Sequence, residues 1–137
     1  MTKKQLQQHR ALKREIEELD KKILQEQKKE ISVTQEKVKA SMKDFPYIEI
    51  YNVEQAYISR KLINEYQKRK LKAEKETLEI ETFISSISDA EIRLMFQYSF
   101  IDGMKQREIA ERLHMERSNI SKKITEILQL SQKSVLY

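Results

Sequence analysis

The apolar positions of this chain fall into stretches with different rhythms. Between residues 3 and 30, Leu12, Ile16, Leu19 and Ile23 recur at alternating steps of four and three among Lys, Glu and Gln. Such steps keep side chains on one narrow stripe of a helix, so this segment predicts a helix with a heptad seam. The rhythm returns from about Val53 to Ile87, where Ile63, Tyr66, Ala73, Ile80, Ile84 and Ile87 share one repeat. Lys70 and Thr77 interrupt that repeat, and Leu71 and Leu78 are expected to widen it. Two long charged helices, each with one apolar seam, predict either an antiparallel hairpin within the chain or a dimeric coiled coil. The charges between the seams read as the solvated surface of those helices.

Residues 32–52 read differently. Val38, Ala40 and Met42 alternate, as do Ile48 and Ile50, and Phe45 precedes Pro46, the only proline. Period-two alternation, and the steric push of a proline ring on the residue before it, predict a short extended connector around a turn. Within it, Phe45-Pro46-Tyr47 reads as a loop pinned onto the hairpin by its two rings, with a docking knob for a partner as the alternative.

From Ser88 the pattern becomes that of shorter helices. Ser88 and Glu91 have capping-box spacing, predicting a helix that starts near Ser88 or Asp89, buries Ile92, Met95, Phe96 and Phe100, and stops at Asp102-Gly103. After Gly103, the only glycine, short helices are expected. The chain thus divides into an arm over residues 1–87 and a C-terminal domain over residues 88–137.

Composition narrows the fold class. Charged residues make up 36% and aromatic residues 7%, with one Gly and one Pro, which leaves little room for turn-rich sheet. The expected fold is all-α: a long helical hairpin or coiled coil, a short extended segment between its long helices, then a trihelical helix-turn-helix domain. Absence of cysteine excludes a disulfide framework and thiolate metal sites. No apolar run reaches membrane-spanning length and "MTKKQLQQHRALKR" has no signal-peptide core, so a soluble cytoplasmic protein without a membrane partner is expected. A net charge of +5 admits a polyanionic partner, although lysine-rich coiled coils reach similar values without one. Catalysis is not expected: there is no glycine-rich phosphate loop, and His9 and His114 lie far apart without metal-ligand spacing. No cofactor or metal is expected either.

Candidate chemistry concentrates in "MKQREIAERLHMERSNISKKITEIL", with Ile109, Ala110, Leu113, Met115, Ile120 and Ile124 facing inward. A helix-turn-helix needs a small residue where its helices cross, a tight turn four residues later, and a branched residue inside the second helix. Ala110, His114 and Ile120 stand in that order and spacing. The turn residue commonly needs positive φ, where His is enriched among non-glycine residues. The second helix would then present Arg117, Ser118, Ser121, Lys122 and Thr125 outward, with Asn119 near its start. Arg suits guanine, Asn suits adenine, and Lys122 and Lys123 can neutralise phosphate. Glu116 stands where such motifs often carry a Ser or Thr cap.

Residues 88–130 resemble the DNA-binding region four of bacterial sigma-70-type factors. More closely, residues 36–130 resemble small phage and prophage transcription regulators, sigma-factor-like and grouped with the ArpU and RinA late-operon activators. The matching stretches are "EKVKASMKDFPYIEI", "ISDAEIRLMFQYSFIDG" and "KQREIAERLHMERSNISKKI". Met104 stands where that family often has an aromatic residue, and His114 and Glu116 replace a usual glycine and serine, departures that bear on the DNA sequence preferred. The resemblance implies double-stranded DNA as partner, control of phage promoters, and contact with host RNA polymerase. A homodimer through the N-terminal helices is a further expectation. Two other functions fit the same elements: a DNA-packaging component of the small-terminase kind, and a coiled-coil adaptor that binds no DNA.

Overall fold

The computed structural model describes residues 1–43 and 46–135, with side chains described for residues 1–29 and 53–132. The described residues contain helices and no strand: α1 (Lys3–Gln7), α2 (His9–Lys43), α3 (Pro46–Ser85), α4 (Ala90–Phe96), α5 (Gln106–Leu113) and α6 (Arg117–Val135). The fold is all-α, and α4 runs directly into a π-helical turn, Gln97–Ile101. Two compact units form, one from Arg14–Ala73 and one from Met1–Lys13 together with Glu74–Tyr137.

The expected extended connector is replaced by helix. α2 continues to Lys43 and α3 begins at Pro46, so Val38, Ala40, Met42, Ile48 and Ile50 are all helical, and Phe45 lies outside the described residues. Alternation over three residues is a weak signal beside a run of helix formers such as Glu36, Lys37, Lys39, Met42 and Lys43. Pro46 does not break a helix because it opens one: at the first position its missing N–H costs no hydrogen bond and its fixed φ suits the helix.

In the Arg14–Ala73 unit the two seams close on each other within one chain. Leu19 and Ile23 of α2 and Ser59, Ile63 and Ala73 of α3 are buried, while Ile16 and Tyr66 are half-buried. Arg69 Nη2 donates to Glu15 Oε1 at 3.2 Å, and Lys70 Nζ lies 2.6 Å from Asp20 Oδ1. Lys70 therefore serves its seam position with its stem and sends its amine to the rim. These residues are covered within the one chain. Leu71 and Leu78 are 53% and 63% exposed and do not widen the stripe, because each stands one residue past a seam position and is rotated off it.

The other unit is built around larger side chains. Leu6, Met95, Phe96, Ile109 and Ile120 are fully buried. Phe96 packs edge-on to Phe83 of α3 at 6.1 Å between ring centres and against Phe100 at 5.5 Å. Ile80 and Ile84 of α3, and Ile87 beyond its end, are also buried in this unit. α1 begins with a capping box in which Thr2 Oγ1 accepts from Gln5 N at 3.2 Å and Gln5 Oε1 accepts from Thr2 N at 2.9 Å. At α4 the expected Ser88–Glu91 box is absent. Asp89 caps the helix instead, accepting from Glu91 N at 2.9 Å and Ile92 N at 3.2 Å. With Asp89 as cap, Glu91 falls one position short of where a box requires it. The expectation of short helices after Gly103 also fails at α6, whose 19 residues carry the four-residue rhythm on from Ile120 and Ile124 to Leu128.

Candidate nucleic-acid interface

The segment from Gly103 to Thr125 is shaped by two left-handed residues. Gly103 has φ 68° and ends the π-helical turn, where Asp102 N donates to Gln97 O at 3.0 Å and Met104 N to Tyr98 O at 2.8 Å. His114 has φ 54° and ψ 46°; its N–H and that of Met115, at 2.9 Å, both return to Ala110 O. These bonds close the end of α5 in the manner glycine usually serves, and His114 does so with an exposed ring. α6 starts at once after Met115 and Glu116, and Glu116 O accepts from Asn119 N at 3.1 Å. Ile109, Ala110, Ile120 and Ile124 are buried between the helices, and Leu113 and Met115 are half-buried. Ala110 has no bulk beyond its methyl, which lets α5 and α6 approach closely.

The opposite face of α6 is exposed at Arg117, Ser118, Asn119, Ser121, Lys122 and Thr125. Lys123 departs from that set: it is half-buried, because its position turns its stem toward the flank of the core. Thr125 departs in chemistry, since its hydroxyl donates to Ser121 O at 2.9 Å and so spends its proton within the helix. No carboxylate occurs from Arg117 through Thr125; Glu116 precedes this stretch and Glu126 follows it. An acidic residue at the start of a helix is favourable for the helix dipole, so Glu116 suits the fold even where it would repel phosphate.

Among the basic side chains of this unit outside α6, Arg112, Arg107 and Arg10 make contacts that sequence pattern did not single out. Arg112 stacks over the Tyr98 ring at 5.4 Å, tying the end of α5 to the π-helical turn. Arg107 is largely exposed and lies 3.7 Å from Glu111. Arg10 lies against Gly103. Only spacing on α5 hinted at the first two, and the third is a contact between segments far apart in sequence.

His9 has a packing role. It is 2% exposed, and its Nε2 donates to Glu81 Oε1 at 2.9 Å. That bond holds the Glu81 carboxyl below the usual carboxylate range; burial works against the shift, and the charge of Lys13, 3.6 Å away, adds to it. Among the described residues His9 Nδ1 has no partner, and no three acidic or histidine side chains gather as a metal set. No described helix is long and apolar enough to cross a membrane. Comparisons with protein-family models, curated proteins and solved structures find no match to this chain, so the geometry of the site carries the functional reading.

Proposed function

We propose that this protein is a sequence-specific, double-stranded-DNA-binding transcription regulator whose α5–α6 pair acts as a helix-turn-helix. The observation that supports this most is the Ala110–His114–Ile120 corner joined to an exposed α6 face that carries Arg, Lys, Asn, Ser and Thr and no carboxylate through Thr125. In such a motif the start of the second helix enters the major groove while the first crosses the backbone. Arg117 is then placed for the paired acceptors of guanine and Asn119 for adenine, with Ser118, Ser121 and Thr125 lining close approach. Lys122, and the end of the Lys123 side chain, neutralise phosphate. The protein needs no catalytic residue or cofactor in this role.

The resemblance of residues 36–130 to sigma-factor-like phage regulators supports the narrower form of the proposal: a phage-encoded protein acting on late promoters with host RNA polymerase. The α2–α3 hairpin is the arm available to a protein partner. Selection of bound duplexes from a random pool, followed by gel shifts at two salt concentrations, tests the reading. A defined sequence preference, with log affinity falling linearly in log salt, is expected. Absence of any salt-dependent duplex binding would refute it.

A further inference from the structure

We propose that Arg10 supplies a DNA-backbone contact to the α5–α6 unit from the opposite end of the chain, an inference that rests on the DNA-binding reading above. Gly103 is where the two ends meet. A Cβ at position 103 would collide with Nη1, Cζ and Nε of Arg10, so the guanidinium occupies the space that the glycine leaves open. The segment that carries Arg10 is fixed on both sides of the break at Gln8: Leu6 is fully buried, and His9 is buried and bonded to Glu81. Arg10 is therefore presented from a set backbone.

Its charge, however, is not used within the protein. Arg10 is exposed and makes no hydrogen bond or ion pair among the described residues, not even with Asp102 beside Gly103 in the chain. An exposed guanidinium with no partner inside the protein keeps its N–H donors for an outside ligand. This one is seated on a glycine three residues ahead of α5, the helix expected to cross the phosphate backbone, with exposed Lys105 and Arg107 following in the chain. Asp102, Glu108 and Glu111 stand among these cations, with Arg107 3.7 Å from Glu111, so the charge of the segment is mixed and Arg10 adds a cation to it. A guanidinium whose stem is already positioned loses less freedom on meeting a phosphate, and its planar fork suits that ligand.

Salt-dependent binding of the full chain to a selected duplex, compared with R10Q and R10K, provides the test. R10Q is expected to weaken binding to every duplex alike and to make the slope of log affinity against log salt shallower by about one, the effect of losing one phosphate contact. R10K keeps the slope. An unchanged slope in R10Q, including a loss of affinity that R10K does not restore, would assign Arg10 to the fold and overturn this inference alone. Failure of the wild-type chain to bind any duplex would overturn it together with the proposed function.

Discussion

The Arg14–Ala73 unit and the unit formed by Met1–Lys13 with Glu74–Tyr137 bury their apolar residues in different ways. The first closes one narrow seam, and its buried positions include Ser59 and Glu26 beside Leu19, Ile23, Ile63 and Ala73. Two ion pairs that link its helices, Glu15 with Arg69 and Asp20 with Lys70, sit at the rim, where such pairs contribute about 1 kcal/mol or less. The second fills a three-dimensional core with side chains that are fully enclosed, among them Phe96, Met95, Ile109 and Ile120. A seam between two helices can close partly around a lost methyl group, whereas an interlocked core leaves a void. The exposed α6 face is held by the core of the second kind, which fits a surface whose side chains must stand in fixed register.

The largest effect should come from setting the two interiors against each other. Phe96→Ala is expected to cost about 3–5 kcal/mol, and Ile63→Ala about 2 kcal/mol, at the low end for a buried isoleucine. Denaturant unfolding measures both, and equal losses would break the contrast. A smaller effect belongs to the α4 start: Asp89→Ala removes the acceptor for two backbone N–H groups and should cost about 1 kcal/mol, while Ser88→Ala should change little. If Ser88→Ala were the costlier change, the capping assignment would be wrong.

The smallest effect is pH-dependent. The Glu81 carboxyl titrates below its ordinary value near 4.5 in the folded protein. Its contribution to stability is therefore complete above that pH and is lost as pH falls through the lowered value. Glu81→Gln should flatten the decline of stability below about pH 4.5. A steeper acid decline in Glu81→Gln would contradict the sign of the shift.

Much of this arrangement was legible because it rests on local geometry. The seam steps through Leu12, Leu19, Ile63 and Ile80, the stop at Gly103 and the corner at Ala110, His114 and Ile120 all follow from helical spacing and backbone preference. What escaped sequence reading depends on competition or on distant contacts. Alternation around Val38 and Ile48 lost to helix propagation, and Pro46 could be read as a breaker or a starter. Leu6, isolated among Lys and Gln, gives no periodic signal, yet it is fully buried and brings Met1–Lys13 into the compact unit that holds α4, α5 and α6. Spacing placed Lys123 among the cations of α6 without showing that its stem is half-covered. Nor could one seam announce that its partner would be the other seam of the same chain.

The central claim is that the first turns of α6 read DNA sequence, and it is tested most directly by comparing Arg117→Ala with Lys122→Ala on a selected duplex and its single-base variants. Arg117→Ala should lose roughly 1–3 kcal/mol of binding and relax discrimination at one base position, whereas Lys122→Ala should weaken all variants alike with a shallower salt slope. Equal binding of the wild type and Arg117→Ala to every duplex would contradict the account.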